Sequence, residues 1–295
     1  MPFDLPAYLE ARVRRIDDLL EARLPAAAVR PTVLHQAMRH AVLAGGKRLR
    51  PVLCLAAAEA CGGAAEAALL PGAALELLHT YTLVHDDLPA MDDDDLRRGR
   101  PTAHIAFGEA NAILAGDALL TLAFAWLAEC PAPPPWRPTD LIAELARAGG
   151  HAGVIAGQVE DLASEGVIPT AEQLQYIHTH KTGDLLVAAV RMGAMAAGAD
   201  AAAVERLTRY GQTAGLAFQI ADDILNATST AAQLGKAAGS DAARGKMTYV
   251  ALYGVDSARR EAQRLVGEAV AALAGLPGDT EPLTALARHV VDRRS

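Results

Sequence analysis

Apolar side chains recur at helical spacing along most of this chain, and no stretch alternates between apolar and polar residues over a useful length. In the first segment the apolar positions are Leu9, Val13, Ile16 and Leu20. Residues three and four positions apart form one stripe on a helix. Further helices are predicted over 32–44, 52–60, 64–85, 108–129, 139–163, onward from Thr170, 256–274 and 280–293. The pattern therefore predicts an all-α fold, which the alanine-rich composition supports.

Two stretches interrupt the helical pattern without dividing the chain into domains. Residues 131–138, PAPPPWRP, are predicted to form a surface loop between helices. Residues 226–245 are small, polar and glycine-bearing, and we interpret them as a mobile loop and a candidate lid. The chain of 295 residues is long enough for one large domain, which is predicted over 1–295.

Composition narrows the classes of function. A net charge of −8 disfavours nucleic acid as a partner. The three cysteines show no CxxC spacing, so they indicate neither zinc nor a disulfide framework, and a reduced cytoplasmic location fits. The start of the chain lacks the pattern of a signal peptide. Charge-free runs reach only about a dozen residues, against ~20 for a membrane span, so no stable membrane insertion is expected.

The densest charge lies in residues 85–102, which read HDDLPAMDDDDLRRGRPT. Six aspartates fall within ten residues, at positions 86, 87 and 92–95, and Arg97 and Arg98 follow them. Crowded carboxylates repel one another unless cations are bound, hard divalent ions prefer carboxylate oxygens, and arginine forks match phosphate oxygens. The alternative is a solvated acidic loop. The apolar flanks argue against that alternative, so the stretch predicts a site for a metal-bound phosphate ester.

Asp86 and Asp92 lie six residues apart, about 240° around a straight helix. A local break over 88–91, where Pro89 disfavours a helix, is therefore expected to bring both carboxylates to one cavity. A second acidic element, Asp222-Asp223, follows Gln219 among apolar neighbours. Two acidic clusters on separate helices, with cations near both, predict a site for several metal ions that holds a diphosphate.

Other polar positions leave alternatives open. Gly45-Gly46 precedes a run of cations, which suits either an anion site or a helix C-cap. Gln158 and Asp161 are one helical turn apart and face either one cavity or solvent. His178 and His180 do not share a helix face, so a zinc pair is not expected there.

These motifs make the chain similar to the trans-prenyl diphosphate synthases, and within that family it closely resembles the bacterial farnesyl diphosphate synthases. The matching segments are GGKRLRP (45–51), LVHDDLPAMDDDDLRRGRPT (83–102), FGEANAILAGDAL (107–119), HKTG (180–183), GLAFQIADDIL (215–225) and GKMTY (245–249). They cover most of the chain in order. The resemblance implies a single all-α bundle of the isoprenoid synthase type with a deep central cavity, usually assembled as a homodimer.

The resemblance also implies a reaction. Isopentenyl diphosphate is condensed with an allylic diphosphate, dimethylallyl and then geranyl, to make farnesyl diphosphate by ionisation, addition and proton loss. Asp86 and Asp92 resemble ligands of two of three Mg²⁺ ions, and Asp222 resembles the ligand of the third; Lys181 is implied beside Asp86 and Asp222 as catalytic. Residues implied at the isopentenyl diphosphate site are Lys47, Arg50, His79 and Arg98. Residues implied at the allylic diphosphate are Arg97, Lys181, Thr182, Gln219, Lys236 and Lys246.

Two positions bear on how closely the chain follows the family. The second acidic motif usually ends in aspartate, and Asn226 stands there instead, so affinity for the third ion is expected to fall. Tyr81 lies five residues before Asp86, about 7.5 Å along a helix, where a ring can floor the cavity. In the family an aromatic residue at this position accompanies a fifteen-carbon product. The alternative is that Tyr81 is ordinary core.

Several rival functions remain. A geranylgeranyl or geranyl diphosphate synthase keeps the chemistry and changes the product. A terpene cyclase typically lines its pocket with aromatic side chains, which make up only 4% of this chain. A metallophosphohydrolase built on His85-Asp86 leaves Asp222 and the arginines unexplained. A non-catalytic subunit is supported by Asn226 alone.

Overall fold

The structure, a computed structural model, describes residues 3–164, 170–228 and 248–292. The predicted lid 226–245 is wrong at its start, because residues 226–228 continue a long helix. The rest of that predicted lid lies outside the described residues. So do Lys236 and Lys246, the two lysines implied at the allylic diphosphate.

The described residues form an all-α bundle, as predicted. Helices α1 to α7 span Leu5–Arg23, Thr32–Val42, Leu49–Ala60, Leu69–Asp86, Ala103–Phe107, Glu109–Ala128 and Pro138–Gly149. Helices α8 to α14 span Val154–Ala163, Ala171–Ile177, Asp184–Ala196, Ala201–Thr228, Tyr249–Tyr253, Val255–Ala272 and Glu281–Asp292. A short 3₁₀ helix, Ala65–Ala68, precedes α4. One turn of π-helix, His178–Gly183, joins α9 to α10, and we call it the π turn.

One predicted helix is wrong: the segment 139–163 is two helices, α7 and α8, separated at 150–153. Gly153 explains why the chain turns there. A Cβ added at Gly153 would lie 2.1 Å from the carbonyl oxygen of Ala148, so no other residue fits this backbone. Apolar periodicity continues across the turn, and so the sequence pattern alone did not reveal it.

A small hairpin, absent from the sequence prediction, follows the first acidic stretch. Strands β1, Leu96–Arg97, and β2, Arg100–Pro101, pair in antiparallel register. Gly99 lies in the turn with a φ of 74°, a conformation that favours glycine. Two-residue strands carry no alternation for a sequence pattern to detect. The hairpin fixes the direction in which Arg97 leaves the backbone.

Helix α4 lies at the centre of the bundle and ends in the first acidic stretch. It packs against α3, α6 and α10, and its side chains at Leu75, Leu77 and Leu78 are fully buried. Helix α11, which carries the second acidic motif, packs against α10, α13 and the π turn. The π turn in turn contacts α8, α10 and α11. Both acidic motifs are therefore held by helices of one core.

Two helical stretches, 65–86 and 109–128, are long and apolar enough to cross a membrane, judged by length and composition only. Within the bundle, 61% of the first window and 39% of the second is buried. The first stretch also carries Glu76, which is 2% exposed and paired with Arg48 at 2.8 Å. These features are typical of a core helix, which passes the same length and composition test.

Candidate active site

The first acidic motif lies where α4 ends and the chain folds back on itself. The backbone N–H of Asp92 donates to the carbonyl oxygen of Asp86 at 2.8 Å, and that of Asp93 donates to Leu88 at 3.2 Å. This is the break that the sequence predicted over 88–91. It brings Asp92 close enough that its charge contributes to raising the pKa of Asp86.

Asp86 has the electrostatics of a cation site. Burial, with a smaller contribution from the charges of Asp92 and Asp161, raises the pKa of its carboxyl to about 6 against the opposing charges of Lys181 and Arg97. Carboxylates gathered at partial burial fit Mg²⁺, which binds one or two of them and keeps waters and phosphates as its other ligands. Within the described ranges, no group of three or more His, Cys, Asp or Glu converges closely enough to hold a metal alone.

The neighbouring carboxylate, Asp87, faces inward and binds Arg97. Asp87 is 3% exposed and receives Arg97 Nε at 2.7 and 3.0 Å on its two oxygens. Arg97 Nη2 lies 2.6 Å from Asp87 Oδ1. The guanidinium also lowers the pKa of Asp86, so it lies beside the first acidic motif, as expected for a group contacting the allylic diphosphate.

A second set of cations surrounds His79 on α4. Burial lowers the pKa of His79 well below its usual value, and four arginines lower it further: Arg50, Arg98, Arg97 and Arg48. Burial likewise lowers the pKa of Arg50 to about 10, and its buried Nε has no hydrogen-bond partner in the described part of the chain. Cations gathered with an unsatisfied buried donor favour binding of an anion.

Glycine is required beside this cation set. Gly46 has a φ of 132°, a conformation that favours glycine, and a Cβ there would lie 2.5 Å from Nη1 of Arg98, so the guanidinium packs close to the backbone. Lys47 next to it is exposed to solvent. Gly46 therefore lies against an arginine of the cation set, and the anion-site alternative for this motif stays a prediction.

Arg48 is a residue whose part the sequence did not reveal. It is 2% exposed and donates to Asp17 at 2.8 Å, to Glu76 at 2.8 Å and to the carbonyl oxygen of Val42 at 2.7 Å. Its partners come from α1, α2 and α4, so this arginine ties three helices together. No local pattern predicts such partners, because they are brought together only by the fold.

The π turn places Lys181 between two carboxylates. Lys181 Nζ lies 2.6 Å from Asp161 Oδ2 on α8, and its charge lowers the pKa of Asp86. A Cβ on Gly157 would lie 2.2 Å from the backbone N of Lys181, so glycine allows α8 to approach the turn. Asp161 thus faces the site, while Gln158 has a buried Nε2 with no hydrogen-bond partner in the described ranges. Isolated π-helical turns often occur at functional sites.

The same turn reaches the second acidic motif through His178. His178 Nε2 lies 3.8 Å from Asp223 Oδ2, and burial lowers the pKa of His178 to about 4. Asp223 is 7% exposed, and its Oδ2 accepts a hydrogen bond from the backbone N of Tyr249 at 2.6 Å. Asp222, the adjacent residue on α11, is exposed. The π turn therefore approaches the second acidic motif through His178, while the charge of its Lys181 acts on Asp86 of the first.

Comparison with known proteins shows the family to which the chain belongs. Residues 31–275 match the polyprenyl synthetase family. The chain is 44% identical to a geranylgeranyl diphosphate synthase from Cyanophora paradoxa, covering 99% of this chain and 98% of that protein. Among solved structures it is similar to an FPP/GFPP synthase from Zymomonas mobilis, at 39% identity and a TM-score of 0.85 over 97% of this chain and 98% of that one. It is also similar to a geranylgeranyl pyrophosphate synthetase from Pyrococcus horikoshii Ot3, at 32% identity and a TM-score of 0.88, covering 98% of each chain.

The chain belongs to the polyprenyl synthetase family. It is accordingly a prenyltransferase of isoprenoid synthesis with the all-α isoprenoid synthase fold, as the sequence motifs predicted. Polyprenyl synthetases generally use Mg²⁺, and the carboxylates of Asp86 and Asp92 fit that ion. The individual roles predicted for the site residues remain predictions. So does the predicted number of three ions.

The remaining predicted site residues of this polyprenyl synthetase lie on the same elements. Thr182 follows Lys181 in the π turn, and Gln219 lies one turn before Asp223 on α11; both side chains are half-buried. Tyr81 is 9% exposed on α4, and its ring meets the ring of His85 edge-on at 5.1 Å between centroids. Burial and the charge of Asp86 raise the pKa of Tyr81, which is consistent with a position just below the first acidic motif.

A separate cavity of about 530 Å³ lies between α7, α10, α11, α13 and the π turn. Among the described residues, none of the predicted metal or diphosphate ligands lines it. Its arginines, Arg147 and Arg191, pair with the buried carboxylate of Glu144 at 2.8 and 2.9 Å, and Arg147 also lies 3.2 Å from the carboxylate of Asp184. Because these cations are already neutralised, the cavity lacks the excess positive charge of the set around His79.

Proposed function

We propose that this polyprenyl synthetase condenses isopentenyl diphosphate with allylic diphosphates to lengthen a prenyl chain. The observation that carries the proposal is that one π turn links both acidic motifs, since His178 lies 3.8 Å from Asp223 and the charge of Lys181 acts on Asp86. Asp86 and Asp92 of the first motif and Asp222 of the second would hold Mg²⁺, which neutralises the departing diphosphate when bound. The carboxylates alone would repel a diphosphate, so the metal is needed for binding.

The two cation sets favour a reaction with two diphosphates. Arg97 and Lys181 lie beside Asp86 and are suited to the allylic diphosphate. Arg50 and Arg98 lie beside the neutral ring of His79 and form the core of the second set, which Arg97 also adjoins; this set, with Lys47 exposed nearby in the chain, is suited to isopentenyl diphosphate. A terpene cyclase binds one diphosphate and has no use for a second set. The second set therefore supports condensation over cyclisation.

The reaction divides into three changes of bonding. The allylic C–O bond breaks, and its electron pair leaves with the diphosphate as Arg97 and Lys181 stabilise the developing charge. The double bond of isopentenyl diphosphate then forms the new C–C bond to the allylic carbon. A proton is lost to the departing diphosphate, so no side-chain base is required. The apolar core around α4 excludes water from the cationic intermediate.

Two product lengths have separate support. Tyr81, buried on α4 just before the first acidic motif, favours a fifteen-carbon product, farnesyl diphosphate. The names of the relatives favour the twenty-carbon alternative, geranylgeranyl diphosphate, because most of the similar curated proteins are synthases of that product. On present support the geranylgeranyl alternative is the stronger of the two, and the farnesyl product rests on Tyr81.

One incubation tests this proposal. The purified protein is mixed with isopentenyl and dimethylallyl diphosphates, with and without Mg²⁺, and the products are separated by chain length. We expect Mg²⁺-dependent products of fifteen or twenty carbons. A cyclic hydrocarbon, release of inorganic phosphate, or no turnover by the lone protein would instead support the cyclase, the phosphohydrolase or the non-catalytic subunit, respectively.

We further propose a homodimer formed through the face of α5 and α6. Three apolar side chains are exposed on these packed helices, Ile105 at 52%, Ile113 at 43% and Leu114 at 56%. Exposed apolar side chains on adjacent helices favour a protein interface.

Light scattering is expected to give a dimer for the wild type and a monomer for Leu114→Glu. The matched control is Val29→Glu, an equally exposed valine in the turn before α2, which should stay dimeric. A wild-type monomer would refute this interface.

A further inference from the structure

Each acidic motif begins with two adjacent aspartates, and the two members of each pair differ in environment. Asp87 is 3% exposed and Asp223 is 7% exposed, whereas Asp86 is half-buried and Asp222 is exposed. Adjacent residues on a helix point about 100° apart, so one carboxylate can face the cleft while the next faces the protein. The same order, outward and then inward, occurs on α4 and on α11.

We propose that the second aspartate of each pair, Asp87 and Asp223, is a positioning residue and not a metal ligand. Asp87 orients the guanidinium of Arg97, and Asp223 fixes the backbone at Tyr249. This inference rests on the proposed function, because it assigns the metal to Asp86 and Asp222 and the allylic diphosphate to Arg97.

The contacts of Asp87 define what it positions. It accepts Nε of Arg97 at 2.7 Å and lies 2.6 Å from Nη2, a two-point pairing that fixes the plane of the guanidinium. The remaining donors of Arg97 are thereby directed away from Asp87. Since Arg97 also lowers the pKa of Asp86, the oriented guanidinium lies beside the carboxylate that faces the metal. Asp87 thus acts on substrate only through Arg97.

The contacts of Asp223 define a different target. Its Oδ2 accepts the backbone N–H of Tyr249, the first residue of α12, at 2.6 Å. His178 Nε2 of the π turn lies 3.8 Å from the same oxygen. One buried carboxylate thus joins α11, the π turn and the start of α12. The chain that returns to the bundle at Thr248 is held next to Asp222 by this contact.

A double-mutant cycle tests the first half of the proposal. The variants are Asp87→Asn, Arg97→Lys and both together, and the measured quantities are KM for dimethylallyl diphosphate and the Mg²⁺ concentration giving half-maximal rate. We expect Asp87→Asn to raise KM roughly tenfold, the effect of losing one charge-assisted hydrogen bond, while the Mg²⁺ requirement changes less than about twofold. Asp86→Asn, the matched ligand control, should raise the Mg²⁺ requirement by about tenfold or more.

The double variant gives the decisive comparison. If Asp87 acts through Arg97, Asp87→Asn should change KM little once Arg97 is already lysine, because lysine lacks the fork that Asp87 orients. Additive effects of the two substitutions, or a Mg²⁺ requirement raised as much as in Asp86→Asn, would overturn the proposal for Asp87. If Asp87→Asn fails to fold, Asp87→Asn with Arg97→Gln restores a neutral hydrogen-bonded pair, and the cycle is run against Arg97→Gln.

The second half is tested by amide hydrogen exchange at Tyr249. Asn keeps an acceptor oxygen, so Asp223→Asn should retain most of the protection of Tyr249 N–H, and Asp223→Ala should lose it by about tenfold. Asp222→Asn should leave this protection unchanged and raise the Mg²⁺ requirement. Equal loss of protection in Asp222→Asn, or a raised Mg²⁺ requirement in Asp223→Asn equal to that of Asp222→Asn, would overturn the proposal for Asp223.

These readouts separate failure of the inference from failure of the proposed function. Exchange at Tyr249 and the NMR signal of Arg97 Nε–H in Asp87→Asn need no substrate. If the wild type shows no turnover but both signals respond as predicted, the proposed function is wrong and the positioning contacts stand. If turnover is normal and neither signal responds, the positioning inference is wrong.

Discussion

The two acidic motifs are built alike but assembled over different distances. At the first, Asp87 binds Arg97, ten residues further along the chain, through the adjoining turn and hairpin. At the second, Asp223 binds the backbone of Tyr249, 26 residues further along, where the chain returns from outside the described residues. The first motif therefore carries its own support in one continuous stretch. The second depends on how a distant segment comes back to α11.

The two motifs also differ in charge. Asp86 at the first has Asp92 as a nearby second carboxylate, and a backbone hydrogen bond of 2.8 Å holds the two residues together. At the second, the residue one helical turn after Asp222 is Asn226, which offers an amide oxygen without charge. Hard cations bind charged oxygens more tightly than neutral ones. The first motif is thus expected to bind metal more strongly than the second.

The largest expected effect is the loss of Asp86. Asp86→Ala removes the carboxylate around which Asp92, Lys181 and Arg97 are arranged, and kcat/KM should fall about a thousandfold, as for other losses of transition-state charge stabilisation. Steady-state kinetics at saturating Mg²⁺ measure this. The control is Asp93→Asn in the same loop, where the exposed residue has a φ of 52° that asparagine tolerates. A small effect of Asp86→Ala would refute the assignment of the first motif as a metal site.

The second largest expected effect is on the length of the product. Tyr81→Ala removes a buried ring before the first acidic motif, and the ratio of twenty- to fifteen-carbon product should rise at least about tenfold, a usual size for pocket discrimination. Tyr81→Phe keeps the ring and should keep the wild-type distribution. Chromatography of dephosphorylated products measures the ratio. If the wild type already makes twenty carbons and Tyr81→Ala changes nothing, Tyr81 is ordinary core.

Adding a carboxylate to the second acidic motif should narrow the difference in metal affinity between the two motifs. Asn226→Asp places a charge one turn from Asp222, and the Mg²⁺ concentration for half-maximal rate should fall about fivefold, the value of one charge interaction of about 1 kcal/mol near water. Ala227→Asp adds the same charge on another face of α11 and serves as the control. An equal response to both substitutions would mean that general electrostatics, and not the motif, sets the requirement.

The smallest effect concerns pH and the cations near the first motif. Burial and four arginines hold the pKa of His79 well below 6.5, so the unfolded chain binds a proton first as pH falls. The folded state should lose stability as pH drops below about 6.5, and His79→Gln should remove about 1 kcal/mol of that loss between pH 7.5 and 5.8. Chemical denaturation at both pH values measures it. His151→Gln, at an exposed position, should leave the loss intact; an unchanged loss in His79→Gln would contradict the prediction.

The success of the sequence predictions also depends on whether a feature rests on local or on distant contacts. The ends of α6 and the break after Asp86 were predicted well, because periodicity, proline and charge act within a few residues. The pairing of Lys181 with Asp161 and the burial of Arg48 were not predicted. The carboxylate that pairs with Lys181 lies 20 residues away, and the two carboxylates that pair with Arg48 lie 28 and 31 residues away. The split between α7 and α8 was missed because apolar spacing continues through Gly153.

The predictions for the site residues divide in the same way, into those that follow from local sequence and those that depend on contacts made by the fold. The family resemblance singled out Asp86 and Asp222 as implied metal ligands, but no part was assigned from the sequence to the aspartate that follows each of them. Only burial and contacts distinguish Asp87 and Asp223, and these depend on a hairpin and on a helix start that carry no strong local signal.

The most direct test of the central claim is a crystal structure of the protein with Mg²⁺ and a thio analogue of the allylic diphosphate. The account predicts metal ions on Asp86, Asp92 and Asp222 that share one diphosphate, with Arg97 and Lys181 contacting its oxygens and no ion on Asp87 or Asp223. A diphosphate bound at one acidic motif, with Asp222 and Asp86 too far apart to share it through metal, would contradict the account.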